Sequence, residues 1–104
     1  MQLTERQAAI LKGATVDAKA LKASALQKYH AHNAKGVTNE EYRAFRNDWV
    51  RTNYAWFGQS PTASVKASVS RSLKQLEAKG LVIRDGVYFK LTPAGRKAAK
   101  DAID

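Results

Sequence analysis

Between Ser60 and Lys100 the spacing of apolar residues changes twice, and the residues at each change leave few folds open. Val65, Val69, Ser72, Leu73 and Leu76 recur at helical spacing until Gly80 ends the run. Leu81-Val82-Ile83-Arg84 and Val87-Tyr88-Phe89-Lys90-Leu91 then flank Asp85-Gly86, a strong signal for a two-residue hairpin turn. Thr92-Pro93 supplies an N-cap followed by proline and opens a last helix toward Ile103. Ser60-Pro61 has the same form. With Thr62 and Ser64 as alternative caps, the first of these helices starts anywhere from Pro61 to Val65.

The upstream half reads as helical throughout. Thr4-Glu5-Arg6-Gln7 has capping-box spacing, and Gly13 is expected to weaken or end the helix it opens. A second helix is expected from about Val16 to His32, with Val16, Ala20, Leu21 and Tyr29 on one face and Gly36 at its C-terminal cap. Thr38-Asn39-Glu40-Glu41 is another capping box. On the helix it opens, Tyr42, Phe45 and Trp49 share a face, so they are expected to enter the core. Gly58 interrupts. Tyr54, Trp56 and Phe57 have three destinations open: under the following helix, a subunit interface, or an exposed ring.

The fold class is therefore mainly α with a short β-hairpin. Residues 1–104 are expected to form a single domain, with a helical N-terminal part (1–58) and a helix, hairpin and C-terminal helix (59–104). A chain of 104 residues is long enough to bury one core without staples. It has no cysteine, which excludes disulfides, thiolate nucleophiles and cysteine-based zinc sites. No apolar run approaches a bilayer span, and the N-terminus lacks a signal-peptide core, so a cytoplasmic protein without membrane contact is expected.

Charge supplies the first functional clue. The chain carries 18 Lys and Arg against 9 Asp and Glu, for a net charge of +9. Residues 60–100 hold nine of the cations and only two acids, Glu77 and Asp85. A compact segment of one sign attracts polyanions by its field and by counterion release.

Helical geometry sorts the side chains of the segment near residues 64–79. At about 100° per residue, with Val69 inward, Leu73 and Leu76 stay within about 40° of that direction. Ala67, Arg71, Lys74 and Ala78 point the opposite way. Lys66, Ser70 and Glu77 lie on one flank, Ser68 and Gln75 on the other. Small residues interspersed with long donors suit insertion into a nucleic-acid groove.

"SVSRSLKQLEAKGLVIR" resembles the recognition helix and first wing strand of the MarR family of winged helix-turn-helix regulators. The resemblance lies in Val69-Ser70-Arg71, Leu73, Leu76-Glu77, Gly80-Leu81-Val82 and Arg84. "LTPAGR", Leu91 to Arg96, looks like that family's second wing strand running into its next helix. The likeness covers about residues 60–98. It implies a winged helix-turn-helix with extra N-terminal helices, double-stranded DNA as partner, transcription regulation as function, and the Ser70-Arg71 region as the DNA-contacting part. Regulators of this family act as homodimers on near-palindromic sites.

Arg71 is the foremost candidate for direct contact, followed by Ser68, Ser70 and Lys66, with Lys74 expected on the backbone. Ser64 is expected to cap the helix and touch phosphate. Family wings carry a longer loop with a basic tip, whereas Asp85-Gly86 closes this one early and puts an acid there. Arg84, and Lys90 from the second strand, are accordingly expected to meet backbone phosphates.

Other chemistry is poorly provided for. His30 and His32 lie about 200° apart on a helix and cannot share a metal there. No His–carboxylate arrangement accompanies the Ser and Thr residues, and no glycine-rich phosphate loop is present, so neither enzymatic activity nor a cofactor is expected. Arg43, Arg46 and Arg51 interleave the aromatic stretch, a pattern that base stacking also uses. Two other functions stay open: a winged-helix protein–protein interaction module, and DNA binding for replication, partition or recombination.

Overall fold

The computed structural model describes residues 2–103; Met1 and Asp104, part of the expected single domain, lie outside the described residues. Helix α1 (Glu5–His30) opens on the capping box expected of Thr4 and Gln7, with both reciprocal hydrogen bonds formed at 3.1 Å. It does not stop at Gly13. One helix of 26 residues replaces the two expected on either side of that glycine.

Gly13 is a seat for Trp56: a Cβ there would lie 2.5 Å from indole Cε2. Trp56 Nε1 donates to Asp17 Oδ2 at 3.1 Å, one turn further along α1. Val16, expected to face inward, is 62% exposed, and the buried face carries Gln7, Ile10, Leu11 and Ala14 instead. At the far end Ala31 caps α1 and His32 takes the left-handed conformation (φ 56°). Gly36, expected to do that, sits in a separate 3-10 turn, Ala34–Gly36.

Helix α2 (Asn39–Asn47) also opens on its expected capping box, between Thr38 and Glu41. Its aromatic face does not enter the core. Tyr42 is 46% and Phe45 38% exposed, while the buried positions are Glu41 and Ala44. Ala44 and Ala25 of α1 are both fully buried, and small residues let two packed helices approach closely. The rings are left at the rim, Phe45 beside Tyr29 at 5.2 Å and Tyr42 beneath the Arg46 guanidinium. Asp48, left-handed at φ 64°, ends α2 before Trp49, which therefore does not share the helical face of Tyr42 and Phe45.

Glu41 ties α2 to α1. Its carboxylate accepts from Lys28 Nζ at 2.6 Å, from the Ser24 hydroxyl and from the Thr38 N–H at 2.9 Å. The Lys28 ammonium first, then the Ser24 and Thr38 donors, hold its pKa down from 4.5 to about 2. The sign follows from linkage: this contribution is fully present above about pH 4.5 and is lost as pH falls toward 2. Thermal melts should show Glu41→Gln declining less steeply than the native chain across that interval. An unchanged slope would remove Glu41 as the source of acid sensitivity.

After α2 come strand β1 (Val50–Arg51), a 3-10 turn (Tyr54–Phe57), helix α3 (Ala63–Ala78), strands β2 (Val82–Asp85) and β3 (Tyr88–Leu91), and helix α4 (Pro93–Ile103). The protein is mainly helical with one small antiparallel sheet in the order β1-β3-β2. β1 had no sequence signal of its own; it exists by pairing Val50 with Phe89 and Arg51 with Tyr88. Tyr54, Trp56 and Phe57 settle as half-buried packing on the core, with Trp56 edge-on to Phe89 at 6.2 Å. Ile10, Leu11, Val69, Leu73, Leu76, Leu81, Val82, Phe89 and Leu91 form the centre of that core. Among the described residues no helix is long and apolar enough to cross a membrane.

Candidate nucleic-acid interface

Helix α3 carries the buried stripe expected of it: Val69, Ser72, Leu73 and Leu76 are buried and Val65 is half-buried. Burial of a Val or Leu contributes about 1.5–3 kcal/mol, so this stripe fixes how the helix is rotated. The cap is Thr62, whose hydroxyl accepts from the Val65 N–H at 3.2 Å. Ser60-Pro61 therefore precedes the helix, and Ser64 is an exposed residue of its first turn rather than a cap. At the other end Gly80 (φ 75°) and Leu81 donate back to the Glu77 and Leu76 carbonyls at 3.0 Å, a Schellman closure.

The candidates on α3 separate by direction. Arg71 and Lys74 are exposed on the outward side with Ala67, and neither has a carboxylate partner among the described residues. Lys66 and Ser70 lie on the flank that faces the hairpin, where both line an open cleft between α3 and the sheet. Ser68 is half-buried on the opposite flank, the side on which Gln75 accepts from Gln7 of α1 at 2.9 Å.

The hairpin differs from expectation in register. Val82 pairs with Leu91, Arg84 with Phe89 and Asp85 with Tyr88, so the loop is Gly86-Val87 rather than Asp85-Gly86. Gly86 is left-handed (φ 61°) and Val87 is not, the pattern of a type II′ turn. This register sets Val82 opposite Leu91, both buried, and places Asp85 at the end of β2 instead of at the tip. The Asp85 carboxylate lies 3.9 Å from Arg43, whose guanidinium also covers the Tyr88 ring at 4.4 Å. The tip itself is uncharged, and Val87 there is 64% exposed.

Strand alternation splits the two wing candidates. Arg84 shares the inner face with Phe89, lines the cleft, and stands 4.0 Å from Glu77 of α3. Lys90 points to the opposite face, over the Trp49 ring at 5.0 Å, so it does not join the others. Arg51 of β1, which the sequence had not singled out as a contact, borders the cleft, but its pairing with Tyr88 puts its side chain on the Lys90 face, where the guanidinium lies 3.4 Å from Glu40. Its place among interleaved cations and aromatics was the only available signal.

Gly80, Thr92 and Gly95 close the base of the hairpin. The Thr92 hydroxyl donates to the Gly80 carbonyl at 2.7 Å and accepts from the Gly95 N–H at 3.0 Å. The Thr92 N–H donates to the Leu81 carbonyl at 3.0 Å. Among the described residues no cluster of three His, Asp or Glu could hold a metal ion. The chain matches no protein-family model, and no characterised protein sequence or solved structure is significantly similar to it.

Proposed function

We propose that this chain is a small MarR-like winged-helix protein that binds double-stranded DNA with α3 in the major groove, as a transcriptional regulator. The observation that carries the reading is the outer surface of α3: small residues and the cations Lys66, Arg71 and Lys74, none with an acidic partner among the described residues. Unpaired cations on a convex helix are free to exchange water and counterions for phosphate. Arg71, exposed on the side of α3 turned away from the core, is the residue for base edges; Lys74 and Ser64 meet the backbone.

The element order supports the same reading. A helix, a short strand, a helical turn, a helix and a hairpin whose second strand pairs with that first strand is the order of elements that a winged helix would need. One part is reduced. On this reading the helix that would brace α3 is shortened to the 3-10 turn Tyr54–Phe57, and α1 packs against α3 in its place.

The test is selection of bound sequences from a random duplex pool, by the native chain and by Arg71→Ala. The native chain should enrich a motif, and its affinity should fall by orders of magnitude between about 50 and 200 mM salt. Loss of a bidentate arginine contact costs about 1–3 kcal/mol, so Arg71→Ala should bind roughly ten- to a hundredfold more weakly and read one position less strictly. A symmetric motif would place two copies on the site. An unenriched pool with salt-independent affinity would overturn the proposal.

A further inference from the structure

We propose that the groove between α1 and α4, with Lys19, Arg96, Lys97 and Lys100, holds the phosphates of a second DNA duplex, so that one chain bridges two segments; this rests on the DNA-binding reading above. Small residues make the groove. Gly95 and Ala99 are buried on the inner side of α4, and Ala14 and Ala18 of α1 line the groove with Leu91. Such side chains let the two helices approach closely, which brings Lys19 of α1 and Arg96 of α4 to one hollow of about 190 Å³.

The charge there is unbalanced. Asp48, the one carboxylate among the residues of the hollow, is taken by Lys22. Lys19 and Arg96 are exposed and have no ion pair among the described residues. Arg96 is nonetheless held in place: its Nη1 donates to the Leu91 carbonyl at 3.3 Å, which leaves its other N–H groups for an anion. Lys100 lies one turn beyond Arg96 and about 40° round α4 from it, with Lys97 about 60° further round. Both are exposed, and neither they nor the neighbouring acid Asp101 form an ion pair among the described residues.

These cations stand apart from the surface assigned to the first duplex. Helix α3 packs on α1 and β2, whereas α4 packs on α1 and β3. Lys19 lies about 120° round α1 from Gln7, the residue that meets Gln75 of α3. The groove is thus turned away from α3 and stays open while α3 is seated. Four like charges on one face repel, and a polyanion relieves that repulsion as it releases its own counterions. For a protein seated through α3, the nearest polyanion is more of the same DNA. Non-specific duplex contacts have dissociation constants of about 10⁻⁴–10⁻⁶ M, so the second segment is held loosely by itself. It is held more tightly where both segments belong to one long molecule, through effective concentration.

The test loads full-length protein onto beads that carry a duplex with the selected motif, then offers a labelled random duplex. The native chain should retain the label, and retention should fall steeply between about 50 and 200 mM salt. Lys19→Gln/Arg96→Gln and Lys97→Gln/Lys100→Gln should each retain about fivefold less, with the slope of log affinity against log salt for the second duplex smaller by about two. Their affinity for the motif should stay within about twofold of native, because salt screens charges at that distance from α3. Lys35→Gln/Arg46→Gln removes the same charge from exposed residues outside the groove and should bridge as the native chain does.

Motif binding without retention of the random duplex would overturn the second site and leave the DNA reading standing. So would equal losses in all three double variants, which would mark a general charge effect. Native retention in both groove variants would assign bridging to two copies of α3 in a dimer, and a changed mass of either free variant would assign the face to self-association. Each of those also overturns the second site. Absence of any duplex binding by the native chain would remove both readings. Melting curves separate lost contact from lost fold, and Lys97→Gln/Lys100→Gln leaves the bond from Arg96 to Leu91 in place.

Discussion

Replacing Gly95 with alanine should unfold this protein more readily than removing any single exposed cation. A methyl group there would overlap the Leu81 carbonyl oxygen and lie 2.9 Å from the carbonyl carbon. Neither partner is a flexible side chain. The Leu81 carbonyl is fixed by its bond from the Thr92 N–H, and Gly95 by the Thr92 hydroxyl. Overpacking into a rigid site costs typically 1–3 kcal/mol and more where backbone must move, so about 3 kcal/mol is expected. For a domain of this size that lowers the melting midpoint by on the order of 15 °C. A midpoint within a few degrees of the native one would mean that α4 shifts freely against the hairpin base.

The second large effect is expected at Gly13, where two terms of opposite sign compete. Glycine inside a helix costs about 1 kcal/mol relative to alanine, so on propensity alone Gly13→Ala would stabilise the protein. Against this, the new Cβ would collide with the indole of Trp56. The ring cannot swing away without breaking its bond to Asp17 and its edge contact with Phe89. The clash should win, leaving a net loss of about 2 kcal/mol. Trp56 emission should move to longer wavelength as the ring gains solvent. A more stable Gly13→Ala chain with native emission would show that the indole is not seated on α1.

These two glycines also mark the limits of what could be read in advance. The stripe of α3 was legible because Val69, Leu73 and Leu76 repeat locally, and the Thr4 and Thr38 capping boxes because each is complete within four residues. Gly13 was not, because a helix break and a close approach look alike until Trp56, far along the chain, arrives over it. Trp49 keeps helical spacing with Tyr42 and Phe45, but Asp48 ends the helix first. β1 depends wholly on β3 as its partner. For the candidate site, the outward direction of Arg71 followed from α3 alone. The separation of Arg84 from Lys90, and the placing of Arg51 on the Lys90 face, required knowing which face of the sheet is buried.

The hairpin is pinched shut at its root, where one threonine ties the Gly80 and Leu81 carbonyls that follow α3 to the first turn of α4. Leu81, Val82, Phe89 and Leu91 anchor the strands in the core, and only the tip stands clear: a Cβ at Gly86 would meet nothing within 4 Å, and Val87 is exposed. Lengthening a loop costs only about 0.6 kcal/mol for each doubling. The tip thus behaves as an exchangeable cassette: it could grow, or acquire charge, while α3 keeps its angle and the core keeps its packing. The two-residue tip of this chain is in that sense a choice of reach that the rest of the molecule does not enforce.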